Sequence, residues 1–332
     1  MSNWLSKLLH GLRAAPLADG TPLAKPAEPP TITWQVIGAS VRGASHERSG
    51  LPNQDAIDWW PRQPSRTPVI LAIADGHGSA KSFRSDRGAR LAVDTALSCF
   101  RELLVGIEGD EFSSLLNRSF DEPLPRVIER CWKAAVASDL AEHPLLVDEL
   151  SEVENRLGKA ARQSIDESPV LAYGTTLLAA LVHSTFLACL QLGDGDILVV
   201  DSQGQVMRPI EDDPRLFANE TTSLAAQDAW RDFRASFQSI NDRPPALVLL
   251  ATDGYSNSFG TAAGFEAVGP DLLDLLRAEG VEHVRDQLPG WLEQASREGS
   301  GDDVTVGLVL PGESHCSAHS GATEGDRVKP TE

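Results

Sequence analysis

Aspartate stands at the end of four apolar runs in this 332-residue chain. Val69–Ala74 leads into Asp75-Gly76-His77-Gly78, and Phe186–Leu192 into Gly193-Asp194-Gly195-Asp196. Ala246–Ala251 leads through Thr252 into Asp253-Gly254, while Gly301-Asp302-Asp303 opens the run Val304–Pro311. Carboxylates gathered at one end of a sheet repel one another, so their clustering is costly unless cations sit between them. Oxygen donors with no cysteine and little histidine select hard ions, Mg(II) or Mn(II), over zinc. Two such ions about 4 Å apart can acidify a bridging water and neutralise phosphoryl oxygens. Phosphate ester hydrolysis needs those things and little covalent help. His77, two residues after the first aspartate, brings an imidazole suited to proton transfer near neutral pH.

A single Asp-Gly after a strand is ordinarily a turn and nothing more. Four strand-end acids, one with a histidine beside it, point to a site. The elements that must position them follow from periodicity. Continuous apolar runs bounded by glycine read as buried strands, and Thr31–Gly43, with mixed alternation, reads as another. A loop over Ala44–Pro52 separates it from Asn53-Gln54-Asp55. Asp86–Leu104, Leu124–Leu140 and Leu145–Ile165 carry apolar residues at helical spacing. Strands follow at Thr175–Val182, Thr185–Leu192, Ile197–Asp201 and Gln205–Pro209. The His183-Ser184 junction reads as a tight hairpin, which makes His183 a turn residue. In the polar stretch Glu211–Pro245, Trp230, Phe233 and Phe237 are spaced like one face of a short helix. Asp271–Ala295 reads as a helix broken at Pro289-Gly290. Strands, then helices, then strands argue for antiparallel sheets covered by helices rather than a βαβ sheet.

The totals narrow the function classes. The hydrophobic fraction of 41% suits a globular core, and no apolar run is long enough for a transmembrane helix. A formal charge of −19 argues against nucleic acid or an anionic membrane surface as the main partner. The four cysteines, Cys99, Cys131, Cys189 and Cys316, are scattered without C-x-x-C spacing. They suggest neither a disulfide framework nor a zinc ribbon, and a reducing, cytoplasmic setting fits them. Residues 1–13 place Trp4, Leu5, Leu8, Leu9 and Leu12 on one helical face. A frayed terminus or a docked helix is the favoured reading there, ahead of a membrane contact. The Pro/Ala-rich stretch through residue 30 reads as a linker, residues 31–311 as one catalytic domain, and 312–332 as a disordered tail.

As an ordered set the motifs resemble those of the type 2C metal-dependent serine/threonine protein phosphatases (PPM), in particular the bacterial members. The set comprises Asn53-Gln54-Asp55-Ala56, Asp75-Gly76-His77-Gly78, Gly174-Thr175-Thr176, Gly193-Asp194, Thr252-Asp253-Gly254 and Gly301-Asp302-Asp303-Val304-Thr305. The resemblance implies an α+β, four-layer αββα sandwich of two packed antiparallel sheets flanked by helices, with a flap at about residues 211–245. It implies two Mn(II) or Mg(II) ions and a weaker third. Asp75 would bridge the two ions, the Gly76 carbonyl would help hold one, and Asp253 and Asp302 the other. Asp55 would act through metal-bound water, Asp194 would contribute to the third site, and His77 would protonate the leaving oxygen. The implied partner is a phosphorylated protein, opposite a separate Ser/Thr kinase.

Several positions depart from the family pattern. Gln54 replaces a common Glu, Gly195-Asp196 replaces Ser-Arg, and Asp303 stands where Asn is commoner. Gly50 occupies the place of the arginine that usually holds the substrate phosphate; His46, Arg48 and Arg42 are the candidates to replace it. That loss motivates an alternative function, a pseudophosphatase that binds a phosphoprotein without hydrolysing it. Retention of Asp75, Asp253 and Asp302 weighs against it, because costly buried charges decay first. A calcium-binding loop at Leu192–Gln205 is rejected, since it lacks the D-x-D-x-D-G order and terminal Glu.

Overall fold

The computed structural model describes residues 32–65, 68–105, 112–211, 213 and 222–312. The expected N-terminal helix, the linker up to residue 30 and the tail beyond Gly312 lie outside the described residues. Ten strands form two five-stranded sheets, antiparallel throughout. One has the order β1-β10-β9-β6-β7: Trp34–Val41, Val304–Pro311, Leu247–Ala251, Asp196–Val200 and Val206–Met207. The other has the order β2-β3-β4-β5-β8: Ala56–Trp60, Val69–Ala74, Leu177–Val182, Phe186–Leu192 and Arg234–Ser239.

The β3 residues explain why the run is continuously apolar. Ile70, Ala72 and Ala74 pack under helices, while Val69, Leu71 and Ile73 face Val248, Leu250 and Val309 of the opposite sheet. Both faces are therefore buried, and each large side chain contributes about 1.5–3 kcal/mol. Helices α2 (Ser85–Val105), α3 (Phe112–Asp121) and α4 (Pro123–Glu142) lie on the β3 sheet. Helices α9 (Val268–Glu279) and α10 (Val281–Glu298) cover the β10 sheet. The layers are helix, sheet, sheet, helix, as expected.

Several local expectations are corrected. Ala44–Ser49 is not loop but a helix, α1, ended by Gly50 at φ 77. That left-handed angle is cheap only for glycine. The arginine anticipated at position 50 would be strained there. The helix expected over Leu145–Ile165 is two, α5 (Val147–Leu157) and α6 (Lys159–Glu167), parted at Gly158. The C-terminal helical stretch breaks at Gly280 rather than at Pro289-Gly290, and Pro289 stays inside α10, forfeiting one backbone hydrogen bond. Ala56–Trp60 is an edge strand whose alternation is hidden by Asp58 and two tryptophans. The helical spacing of Trp230, Phe233 and Phe237 was misleading. Ala229–Asp232 forms a 3-10 turn and Phe237 lies in strand β8, where its ring stacks on Phe186 with centroids 4.9 Å apart. Tertiary pairing with β5 overrides the local spacing. His183 sits in the β4–β5 turn as expected, its ring 4.8 Å from that of Phe186. Among the described residues no helix is long and apolar enough to cross a membrane.

Candidate metal centre

The backbone of Asp75-Gly76-His77 is pinned from both sides. The carbonyl of Asp75 accepts from the Thr176 amide at 2.8 Å and the Thr175 hydroxyl at 2.8 Å, and its amide donates to Thr176 Oγ1 at 3.0 Å. The Gly76 amide donates to the Gln54 carbonyl and the His77 amide to the Gly174 carbonyl, each at 3.1 Å. A Cβ on Gly76 would lie 2.5 Å from the Gln54 carbonyl oxygen and 2.8 Å from that of Ser85. Only glycine lets β2, β3 and the start of α2 approach this closely. The Gly174-Thr175-Thr176 motif thus has a physical task, which is to clamp the end of β3.

Asp55 enters from the start of β2. Its Oδ2 accepts from the hydroxyls of Thr252 at 2.8 Å and Thr305 at 2.7 Å. Its loop is shaped by Asn53, whose Oδ1 takes the Asp55 amide at 3.0 Å and whose Nδ2 donates to Ser40 Oγ at 2.8 Å. Asp253 opens the short helix α7 (Asp253–Ser256) after β9, with Asn257 Nδ2 donating to its Oδ2 at 3.1 Å.

These carboxyls crowd one another. Burial pushes Asp55 well above the usual carboxylate range, with the charges of Asp303 and Asp253 adding and the two threonine hydroxyls opposing. Burial likewise raises Asp75, reinforced by the charges of Asp55 and Asp253. Asp253 is raised by burial too, and its carboxyl shares a hydrogen bond with that of Asp75. The charges of Asp194 and Asp302 reach Asp253. Acids that raise one another's pKa in a confined setting mark a place where a cation would do better. Gln54 adds a buried Oε1 with no hydrogen-bond partner, an acceptor left open in the loop that carries Asp55. All-oxygen donors of this kind fit a hard divalent ion.

His77 is buried enough that desolvation lowers its pKa below the ordinary value, against the opposing pull of Asp194. A Cβ at Gly174 would lie 2.7 Å from the His77 ring, so the imidazole packs on that glycine.

Of the phosphate-binding candidates, His46 is turned inward. Its Nδ1 lies 2.8 Å from Asp303 Oδ2, and its Nε2 lies 4.0 Å from Asp302 Oδ1. Asp303, 2% exposed, also accepts from the Gly43 and Gln54 amides, both at 2.6 Å. Its oxygens are thus committed to knitting three loops together. His46, Asp302 and Asp303 lie close enough to share an ion, but the backbone bonds to Asp303 make His46 and Asp303 an ion-paired brace, while Asp302 stays exposed beside it. The imidazole pKa is raised chiefly by the Asp303 bond. Arg48 is exposed and has no hydrogen-bond or ion-pair partner among the described residues. Arg42 donates to the His46 carbonyl at 2.8 Å.

Asp196, expected beside the third-metal position, is diverted: it opens β6 and pairs with Arg208. Arg208 Nε also bonds Glu266 Oε1 at 3.1 Å. Asp194 remains on the loop, where Arg234 Nη2 holds the Gly193 carbonyl at 2.8 Å.

Three contributors carried no role in the sequence reading. Thr252 and Thr305 sit in quoted motifs, yet nothing in their spacing shows that both hydroxyls meet Asp55. Arg84 is the third. Its guanidinium bonds Glu149 at 3.0 and 2.8 Å, the His143 carbonyl at 2.5 Å, the Pro144 carbonyl at 2.9 Å and the Tyr173 hydroxyl at 3.0 Å. All five N–H donors are used. The Arg84 amide bonds the Ala172 carbonyl at 2.8 Å, so this hub braces the loop that follows His77.

Two face-to-face antiparallel sheets with acids gathered at one end define a carboxylate-centred sandwich. The chain belongs to the protein phosphatase 2C family, whose sequence model matches residues 42–293. The family is one of serine/threonine phosphatases, metal-dependent hydrolases, and the chain is an enzyme of that class. Among solved structures it is similar to a bacterial serine phosphatase at 17% identity and TM-score 0.51, covering 88% of this chain and 99% of that one. It is also similar to the catalytic domain of the phosphatase PstP in complex with two manganese ions, at 17% identity and TM-score 0.47, covering 84% and 99%. Stp1 from Staphylococcus aureus matches at 16% identity and TM-score 0.49, covering 89% and 100%. A comparison with curated proteins finds no match.

Proposed function

We propose that this chain hydrolyses phosphoserine and phosphothreonine in proteins at a centre of two Mn(II) or Mg(II) ions, with a weaker third, as a regulatory step opposite a separate kinase. The single observation that carries the reading is the cluster of buried Asp55 with half-buried Asp75 and Asp253 at one end of the sandwich, their pKa values raised by burial and by the charges of neighbouring acids. Asp75, the Gly76 carbonyl, Asp253 and Asp302 would hold the ions, Asp55 would act through their water, and Asp194 would serve the third position. When bound there, such ions supply an acidified water and neutralise phosphoryl charge.

The chain's own residues do the rest. Thr252 and Thr305 fix the Asp55 carboxylate through its Oδ2. His77 carries a proton to the leaving serine or threonine oxygen. Burial lowers its pKa, so the arriving phosphate dianion is what favours the charged imidazole. His46, held by Asp303, and exposed Arg48 are the cations available to the substrate phosphate in place of the missing arginine. His46 is favoured, because its Nε2 is directed at the Asp302 side of the cluster.

The test is hydrolysis of a phosphothreonine peptide with Mn(II), Mg(II) or EDTA, beside Asp253→Ala. Turnover that needs metal and is lost in the variant supports the proposal. Tight binding of the phosphopeptide with no turnover under any metal would replace it with the pseudophosphatase reading.

A further inference from the structure

Glu129 is a buried acid on α4, 7% exposed, and its Oε1 accepts from Lys133 Nζ one turn further on at 2.5 Å. A Glu–Lys pair of this spacing is ordinarily a solvated helix face that contributes little. Here both side chains also reach the backbone of another element. Glu129 Oε2 accepts from the Trp230 amide and Lys133 Nζ donates to the Ala226 carbonyl, each at 2.9 Å. Charge-assisted bonds to main-chain groups are stronger than neutral ones. The turn between them is held in a disfavoured shape. Asp228 sits there at φ 52 and ψ 35, the one non-glycine residue with positive φ among those described. Such an angle persists where its surroundings over-determine it. Arg126 and Arg231 add to the grip, their guanidinium carbons 3.4 and 4.4 Å from the centroid of the Trp230 ring.

The other end of this segment reaches the candidate centre. The Leu224 amide donates to the Thr175 carbonyl at 2.9 Å, and Ser223 Oγ accepts from the Thr175 amide at 3.2 Å. Thr175 is the residue whose hydroxyl holds the Asp75 carbonyl, and it follows Gly174, whose carbonyl takes the His77 amide. A Cβ at Gly174 would lie 2.7 Å from the His77 ring and 3.4 Å from Ser223 Oγ. Hydroxyl and imidazole therefore flank the same glycine. Ser223–Trp230 is a strut with one foot on α4 and the other on the backbone against which His77 packs.

We propose that Glu129, with Lys133, is a positioning residue for His77: by fixing this strut to α4 it sets the Gly174 backbone and so the placement of the imidazole upon it. The inference rests on the proposed phosphatase reaction, in which His77 carries a proton to the leaving oxygen. Loosening the strut moves the ring and leaves the acids where they are. The loss therefore falls on turnover of substrates whose leaving group needs that proton.

The experiment compares the full chain with Glu129→Ala, Glu129→Gln and Lys133→Met in Mn(II), on a phosphothreonine peptide and on p-nitrophenyl phosphate. Glu129→Ala should lower kcat on the peptide about tenfold, with KM and the p-nitrophenyl phosphate rate changed by less than about twofold. Glu129→Gln keeps an acceptor for the Trp230 amide and should recover most of the loss. Lys133→Met, which releases only the Ala226 carbonyl, should show a smaller loss of the same kind, and it decides the matter if Glu129→Ala does not fold. In a His77→Gln background, Glu129→Ala should add nothing, because both act through one imidazole. Metal-free protein gives a readout apart from activity: the His77 ring resonance, assigned with His77→Gln, should move in Glu129→Ala, and the Leu224 amide should exchange its hydrogen faster. Equal losses on the two substrates, a full further loss in the His77→Gln background, or an unmoved His77 resonance overturns the proposal. A parent protein that hydrolyses neither substrate would instead sink the phosphatase reading, while the resonance still decides whether Glu129 positions His77.

Discussion

Two buried charged clusters flank the loop from Asp75 to Ser85, and they meet the cost of burial in opposite ways. Around Arg84 every donor is answered: a carboxylate, two carbonyls and a phenol account for the whole guanidinium. Tyr173 in turn donates its hydroxyl hydrogen bond to Asp139 at 2.6 Å, and Arg87 closes the far side at 3.0 Å. Around Asp75, by contrast, acids face acids. Among the described residues no lysine or arginine is paired with Asp55, Asp75 or Asp253, and their charges push one another's pKa upward after burial has already done so. A completed network rigidifies. An incomplete one of a single sign is a site that waits for charge of the other sign. The first cluster holds the loop; on the proposed function, the second is what the loop is held for.

That contrast can be broken at its strongest point first. Arg84→Ala leaves Glu149 and two carbonyls without their partner in a buried setting, so it should cost about 3–5 kcal/mol of unfolding free energy, read from urea titration. A cost under about 1 kcal/mol would mean the hub is not structural. On the reactive side, His77→Gln should lower kcat on a phosphothreonine peptide about 10²-fold. The same variant should change little with p-nitrophenyl phosphate, whose leaving group needs no proton; equal losses on both substrates would remove His77 from the proton-transfer role.

Smaller effects sharpen the comparison. Asp253→Asn removes a repelling charge, so it should stabilise the metal-free protein by on the order of 1 kcal/mol while abolishing turnover. The pH dependence carries the same sign. Acids whose folded pKa lies above the unfolded value bind protons more tightly when folded. Their contribution is therefore greatest below the ordinary carboxylate range and is lost as pH rises through the raised values. Metal-free protein should melt progressively lower as pH climbs from about 4, and saturating Mn(II) should abolish the trend. A flat metal-free profile would contradict the crowding. The smallest effect belongs to Arg48→Ala. With His46 facing the cluster and Arg48 pointing to solvent, KM should rise by less than about threefold, a fraction of 1 kcal/mol. A larger rise would return the phosphate to Arg48.

The acids were legible because their signals are local. A run such as Val69–Ala74 has nowhere to go but between two layers, and the Asp-Gly that ends it must turn. Amphipathic spacing likewise marks α2 and α4. Illegible were the edge strand Ala56–Trp60, with Asp58 in its middle, and β8, whose aromatic spacing imitates a helix. Both owe their form to the neighbour they pair with, which local periodicity does not encode.

The sequence by itself determined the buried strands, the acids at their ends and the order in which they come, since apolar period and turn chemistry act within a few residues. Tertiary structure decided which of those groups meet. It brought Thr176 to Asp75 across 101 positions and Asp303 to His46 across 257, and sent Asp196 to Arg208. Strand register and helix docking set such meetings, and both are settled by burying apolar faces against each other rather than by the polar residues that then find themselves adjacent.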